Sequence, residues 1–210
     1  QGQICLCGSR IFVEESIYDK FKKDFIIAVS KLKVGNPFDE NTNIGALVSK
    51  SHLEKVISYV DNVTEYGGKI VCGGNRVKVH TLEEGYYLEP TIIEVNDNQC
   101  KLNQEEIFGP IVTIMSFKTE SEVIEMANDV SYGLSATLWT QDLNKTMRIS
   151  KKLQAGMIWV NTWLLRDLRT PFGGTKNSGV GREGGLESLR FFTEPKNICI
   201  KYQDEFRINE

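Results

Sequence analysis

Residues 111–140 read IVTIMSFKTESEVIEMANDVSYGLSATLWT. Two apolar runs, residues 111–117 and 134–140, are rich in β-branched and aromatic residues, which predicts two strands. Between them Thr119 and Glu122 have the spacing of a capping box, which predicts the start of a helix that carries Val123, Ile124 and Ala127. Strands that alternate with helices are typical of an α/β layer with a largely parallel sheet. We therefore predict an α/β fold, mainly a parallel sheet with flanking helices.

The same patterns continue on both sides of this stretch. Toward the C terminus we predict a helix over residues 142–154, ended at Gly156, and a strand over 157–161. Toward the N terminus we predict strands over residues 69–72 and 88–95. Two amphipathic helices precede them, the second with a capping box at Ser51 and Glu54. Their apolar stripes are Ile17, Phe21, Phe25, Ala28 and Leu32 in the first, and Leu53, Val56, Ile57 and Val60 in the second.

Length and composition restrict the class of protein. The chain has 210 residues, of which 40% are hydrophobic and 25% charged, enough for one good-sized domain or a domain with an appendage. A net charge of −3 gives no basic surface for nucleic acid. No apolar run approaches the roughly 20 residues of a membrane helix. The first residues lack the pattern of a signal peptide and a start Met, so we expect an unsecreted piece of a longer protein.

Five scattered cysteines argue against a disulfide framework and for a reducing compartment such as the cytoplasm. Only His52 and His80 could join them around a metal, and no ligand spacing is recognisable, so we predict no metal site. Cys5 and Cys7 form a C-x-C pair in which one sulfur is either a nucleophile or a small buried residue. Neither histidine is placed where it would serve a Cys–His hydrolase.

A glycine-rich segment, residues 166–185, holds six glycines and a proline and has no periodicity. Ordered loops of this length are usually functional. Its Gly179–Gly184 stretch fits G-x-G-x-x-G, but no buried strand precedes it, so we interpret the match as chance. Arg166 and Arg169 flank Asp167, and each arginine either binds a carboxylate or forms an ordinary surface pair. Beyond the segment, residues 197–202 alternate like a strand that must pair with another sheet edge, such as that of a partner subunit.

A compact acidic and aromatic turn occupies residues 105–110, Glu-Glu-Ile-Phe-Gly-Pro. Its carboxylates could hold ribose hydroxyls and its aromatic ring could brace a flat heterocycle. The alternative is a solvated acidic turn with no ligand.

Three segments together resemble the C-terminal half of the NAD(P)-dependent aldehyde dehydrogenase superfamily. They are Gly2-Gln3-Ile4-Cys5 with the following residues 9–13, then Glu106-Ile107-Phe108-Gly109-Pro110, and the block PFGGTKNSGVGRE at residues 171–183. Residues 161–172 and 191–200 resemble the branch that acts on 2-aminomuconate and 2-hydroxymuconate semialdehydes.

The resemblance implies a catalytic, aldehyde-binding domain over residues 1–186 and an oligomerisation strand and tail over 187–210. It implies a homodimer or homotetramer formed through residues 187–202, and a dinucleotide-binding domain that lies outside this chain. The expected cofactor is NAD, with NADP left open. The expected cofactor contacts are Glu106, for the nicotinamide ribose, and Phe108. The expected walls of the substrate tunnel are Trp163, Phe172 and Leu6, with Arg166, backed by Arg169, pairing with the substrate acid.

The implied mechanism begins with attack of the Cys5 thiolate on an aldehyde and passes through a thioester that water hydrolyses. In the family the oxyanion-hole Asn and the Glu that activates this water belong to the half outside residues 1–210. We therefore expect no turnover from the 210-residue polypeptide alone. Two alternatives stay open. One is a non-catalytic structural or assembly module, and the other is a thioester hydrolase or a dehydrogenase for another substrate on the same framework.

Overall fold

The computed structural model describes residues 1–80 and 82–201. In this part of the chain, strands and helices alternate in an α/β arrangement. The strands are β1 Arg10–Glu14, β2 Gly68–Cys72, β3 Arg76–Val77, β4 Tyr87–Leu88, β5 Thr91–Val95, β6 Ile111–Phe117, β7 Tyr132–Gly133, β8 Ser135–Leu138, β9 Met157–Val160 and β10 Thr175–Lys176. The helices are α1 Glu15–Val29, α2 Lys50–Asp61, α3 Lys101–Gln104, α4 Glu120–Asn128, α5 Leu143–Lys152 and α6 Gly185–Phe192.

The main sheet has four strands in the order β1-β6-β5-β2. β6 runs parallel to both β1 and β5, whereas β2 is antiparallel to β5. A second parallel pair, β8 and β9, carries the chain toward the glycine-rich segment. The main sheet is thus mixed, with two of its three strand pairs parallel, in agreement with the predicted mainly parallel sheet. Its first strand, β1, is one that the sequence patterns did not predict.

The core lies where α2 packs against the main sheet. The predicted stripe of α2 is confirmed, because Leu53, Val56, Ile57 and Val60 are all buried. They join Leu88, Ile93 and Ile111 in one cluster. Burying side chains of this size stabilises the fold by about 1.5–3 kcal/mol each.

Of the predicted stripe of α1, only Phe25 packs against the sheet. Ile17 and Phe21 are exposed, and the face turned to the sheet instead carries Tyr18, Lys22 and Val29. The reason is a charged partner on β5. Glu94 accepts from the Tyr18 hydroxyl at 2.8 Å and from Lys22 Nζ at 2.6 Å, which rotates the helix toward this carboxylate.

Helix ends follow the predictions in one of three cases. The capping box of α4 is confirmed, with Thr119 Oγ1 accepting from the Glu122 N–H and the Glu122 carboxylate accepting from the Thr119 N–H. The predicted box of α2 is wrong. Its N-cap is Ser49, which has an extended backbone and whose Oγ accepts from the His52 N–H at 3.2 Å.

The predicted C-terminal glycine of α5 is also wrong, since the helix ends at Lys152 and is capped by Leu153. Gly156 is needed for a different contact, because a Cβ there would lie 1.7 Å from the Gly173 carbonyl oxygen. The predicted strand over residues 88–95 is broken at Pro90, which has no N–H to donate to a ladder. The predicted strand over residues 134–140 is shorter, with β8 ending at Leu138.

The C-terminal segment lies on the surface. α6 has no buried residue, and residues 193–201 form no strand. A strand needs a hydrogen-bonded neighbour, and none of residues 1–80 and 82–201 forms a ladder with this segment. Position 202, the end of the predicted strand, and the rest of the predicted tail lie outside the described residues.

Candidate active site

Cys5 lies in a tight turn that presents it to solvent. In this cysteine turn, residues 4–7, the Cys7 N–H donates to the Ile4 carbonyl at 3.0 Å. Cys5 is exposed, whereas the Leu6 side chain is 5% exposed and anchors the turn. Cys7 is half-buried, and burial raises the pKa of its thiol. The turn therefore offers a reagent or substrate the sulfur of Cys5 in preference to that of Cys7.

Two residues before the turn fix it against the acidic and aromatic turn, residues 105–110. Gly2 has a φ of 75°, and a Cβ at this position would lie 1.9 Å from the Gly109 carbonyl oxygen. Only glycine fits such an approach of two backbones. Gln3 adds a second anchor, since its Oε1 accepts from the Val48 N–H at 3.0 Å. The first two motifs thus lie in direct contact.

The backbone of Phe108 is strained and is held from α2. Its φ is 60°, a left-handed conformation that is unfavourable for an aromatic residue and concentrates at functional sites. His52 Nε2 lies 2.7 Å from the Phe108 carbonyl oxygen, and the two rings meet edge to face at 6.3 Å. Lys55 Nζ donates to the Glu106 carbonyl at 3.1 Å. The Glu106 side chain itself is exposed, and the Phe108 side chain is half-buried.

His52 and Lys55 are the residues that the sequence argument missed. His52 lies on the polar side of its helix, where no role was predicted for it, and none was predicted for Lys55. Their spacing of three residues places them as neighbours on one helix face, which was a usable signal. The turn they contact lies more than 50 positions away in sequence, and no local pattern identifies it.

The residues just before the glycine-rich segment contact the cysteine turn through a tryptophan. Trp163 Nε1–H donates to the Leu6 carbonyl at 3.0 Å. Trp159, on β9, donates from its own Nε1–H to the Leu165 carbonyl at 2.9 Å, so two indoles hold the arginine loop, residues 161–170. Asn161 and Leu164 in this loop have φ values of 55° and 58°. Trp163 and Leu6, both predicted as tunnel walls, are therefore in contact beside Cys5.

Arg166 lies over the ring of Phe172, with its guanidinium carbon 4.0 Å from the ring centroid. Its Nη2 donates to Glu183 Oε1 at 3.3 Å. One face of the Phe172 ring is thus covered by a cation, so Phe172 is more than the plain apolar wall of the prediction. Arg166 is 35% exposed and keeps donors for a further acceptor.

Arg169 forms an ordinary surface pair with Asp167, the second of the two interpretations of this arginine. Its side chain is 88% exposed, and its Nε and Nη2 donate to the two carboxylate oxygens of Asp167. These bonds hold the pKa of Asp167 below its usual value. The predicted support of Arg166 by Arg169 stays a prediction.

The block of residues 171–183 is braced by its own side chains. Arg182 Nη1 donates to the Gly174 carbonyl at 2.7 Å, and Lys176 Nζ donates to the Val130 carbonyl at 3.0 Å. The two residues of β10 pair with β7 and form no buried strand before Gly179. This context agrees with the interpretation of the G-x-G-x-x-G match as chance.

The cysteine turn contacts the acidic and aromatic turn through Gly2 and the arginine loop through Trp163, and Arg166 of this loop lies over Phe172 of the third motif. The sequence profile of the aldehyde dehydrogenase family matches residues 1–198. The chain belongs to the aldehyde dehydrogenase family. It is 50% identical over 206 residues to human 2-aminomuconic semialdehyde dehydrogenase, covering 96% of this chain and 42% of that protein. It is 44% identical over 201 residues to the 2-hydroxymuconic semialdehyde dehydrogenase of Pseudomonas sp. strain CF600, covering 95% of this chain and 41% of that protein.

Solved structures give the same family. Betaine aldehyde dehydrogenase from Staphylococcus aureus in complex with NAD+ superposes with a TM-score of 0.87 at 39% identity, over 96% of this aldehyde dehydrogenase chain and 42% of that one. HpcC from Thermus thermophilus superposes with a TM-score of 0.88 at 36% identity, over 96% and 42%. The chain thus spans less than half the length of these relatives. Among the described helices, none is long and apolar enough to cross a membrane.

Proposed function

We propose that this chain is the thiol-bearing part of an enzyme that oxidises an aldehyde to the carboxylic acid with NAD. The observation that supports the proposal most is the setting of Cys5. The thiol is exposed on a turn that Gly2 fixes against Gly109 on one side and Trp163 fixes at Leu6 on the other. A thiol that is both exposed and rigidly placed suits a nucleophile, whereas a packing residue would be buried.

The Cys5 thiolate forms a bond to the aldehyde carbon, and the carbonyl π electrons move to the oxygen. The Cys5 backbone N–H has no acceptor among the described residues and can donate to this oxyanion. When the oxyanion re-forms its C=O bond, the hydride leaves the substrate carbon, and NAD held at Glu106 and Phe108 would supply the acceptor. Water then cleaves the resulting thioester, which releases the acid and returns the Cys5 thiol.

The residues present fit the nicotinamide end of the cofactor. The Glu106 carboxylate is exposed and can accept bonds from ribose hydroxyls, and the half-buried Phe108 ring offers an apolar surface. His52 and Lys55 hold the backbone of this turn through its carbonyl oxygens, which leaves the Glu106 side chain available. The NAD+ complex of the structural relative supports NAD as the cofactor.

The proposed substrate is an acidic semialdehyde of the 2-aminomuconate or 2-hydroxymuconate type. Arg166 supplies a cation in the loop that contacts the cysteine turn, and relatives that are 43–50% identical carry the names of such semialdehyde dehydrogenases. Arginine binds a carboxylate through two parallel hydrogen bonds. The same cation would oppose a quaternary ammonium substrate such as betaine aldehyde.

The proposed assembly is a homodimer or homotetramer through residues 187–202. Leu189, Phe191, Phe192 and Ile198 are between 56% and 78% exposed, an apolar surface that a partner subunit would bury.

All five cysteines are unpaired, which supports a reducing compartment, the cytoplasm.

The assay measures NADH formation from an acidic semialdehyde. Because the relatives are longer than this chain, it uses the form of the protein in which aldehyde oxidation is detected. We expect Cys5→Ser to abolish turnover and Cys7→Ser, in the same turn, to retain it. Equal activity of both variants would contradict the proposal. The 210-residue polypeptide alone is expected to show no turnover.

If the chain were a non-catalytic module on the same framework, no aldehyde would give NADH, with or without Cys5.

A further inference from the structure

The guanidinium of Arg166 is held on two sides by residues outside its own loop. The ring of Phe172 lies 4.0 Å from the guanidinium carbon, beneath one face. Glu183 Oε1 accepts from Nη2 at 3.3 Å. Nη2 carries two N–H groups and Nη1 and Nε remain available, so one edge of the guanidinium can still form two parallel bonds to a carboxylate.

The backbones of the two holding residues form a single frame. The Phe172 N–H donates to the Glu183 carbonyl and the Glu183 N–H donates to the Phe172 carbonyl, both at 2.8 Å. The ring and the carboxylate therefore extend from adjacent backbone positions to the same guanidinium. These bonds use the backbone, so changing the side chain of Glu183 leaves the frame intact.

We propose that Glu183 is a positioning residue that fixes the Arg166 guanidinium in the orientation that receives the carboxylate of the substrate. The proposal rests on the acidic semialdehyde function and assigns a specificity role within it. Arginine has many rotamers, and a side chain ordered before binding loses less entropy when the substrate arrives. Glu183 thus favours acidic aldehydes without touching the substrate.

The experiment compares Glu183→Ala and Glu183→Gln in the aldehyde-oxidising form of the protein, with one acidic and one neutral aldehyde. Glutamine keeps an oxygen acceptor for Nη2 and loses the charge, whereas alanine loses both. We expect the KM for the acidic aldehyde to rise about fivefold in the alanine variant, a factor typical of a partly exposed ion pair, and about twofold in the glutamine variant. We expect kcat, and the KM for the neutral aldehyde, to stay within about twofold.

A matched control is Glu120→Gln, which removes the charge of a carboxylate paired with Arg148 on α5, far from Cys5 in sequence. This variant should leave both KM values unchanged. A lower KM for the acidic aldehyde in the Glu183 variants would overturn the inference, because Glu183 would then compete with the substrate for Arg166. Unchanged KM values, or equal losses for both aldehydes with a lowered Tm, would overturn it as well.

Arg166→Ala separates this inference from the function on which it rests. If that variant loses the acidic aldehyde selectively while the Glu183 variants stay silent, only the role of Glu183 is lost. If Arg166→Ala affects both aldehydes equally, the acidic substrate class and the role of Glu183 fall together.

Discussion

Replacing Gly2 by alanine perturbs the contact that fixes the cysteine turn. A Cβ at this position would lie 1.9 Å from the Gly109 carbonyl oxygen, and contacts below 3.0 Å are essentially never observed. The two segments must therefore separate by about 1 Å. The left-handed φ of 75° adds strain of about 1–3 kcal/mol for a residue with a side chain.

We expect this displacement to reduce kcat by about 100-fold, since a shift of 1 Å in a reacting group costs roughly that factor. The strain should lower Tm by about 2–12 °C, at about 2–4 °C per kcal/mol for a domain of this size, while the protein stays folded. The assay follows NADH formation and thermal unfolding of the same samples.

Gly8→Ala is the matched control. A Cβ there meets no atom within 4 Å, and its φ is not in the left-handed region. We expect wild-type kcat and Tm from it. If Gly2→Ala behaves like Gly8→Ala, the contact between the cysteine turn and Gly109 does not position the nucleophile.

Three further changes test other parts of the account. His52→Ala removes the hydrogen bond to the Phe108 carbonyl. Because one hydrogen bond is lost, the KM for NAD should rise about threefold to tenfold, while the rate of Cys5 alkylation stays unchanged. An unchanged KM would contradict the role of His52. The hydrogen bond from Lys22 lowers the pKa of Glu94. The stabilisation by the Glu94 carboxylate is therefore complete above the unfolded-state pKa near 4.5 and is lost as the pH falls through the lower folded-state pKa. The free energy of unfolding, measured with urea, should therefore be higher for wild type than for Glu94→Gln at pH 7, and this difference should narrow below about pH 4.5. A difference that does not depend on pH would contradict this role of Glu94. Arg169→Ala should leave the KM for an acidic aldehyde within about twofold, because its guanidinium is already paired with a neighbouring aspartate. A tenfold rise would instead support its predicted role beside Arg166.

Sequence patterns predicted those elements whose causes are local. The bounds of β6 are the predicted ones, and the capping box at Thr119 is present, because strand propensity and side-chain caps act over a few residues. The α2 stripe was also predictable, since a helix of this kind buries one apolar face. The three motifs identified Cys5, and the structure joins the first two directly and the third through the arginine loop.

Features that depend on distant partners could not be predicted in this way. The face of α1 is set by Glu94, some 70 residues away, and the His52 contact joins positions 52 and 108. Phe172 required the same kind of information, because its apolar ring suggested a wall and only the fold shows Arg166 stacked on it. Residues 197–201 alternate as a strand does, but a strand forms only where a neighbouring edge is available.

The most direct test of the central claim is the rate at which each cysteine is alkylated by iodoacetamide at pH 7, read by peptide mass spectrometry. Cys5 and Cys199 are both exposed, so their comparison separates activation from simple access. Burial raises the pKa of Cys72 and Cys100, and both should react slowly. With Cys5 as the catalytic nucleophile, we expect it to react at least about tenfold faster than Cys199. Equal rates for Cys5 and Cys199 would contradict this role of Cys5.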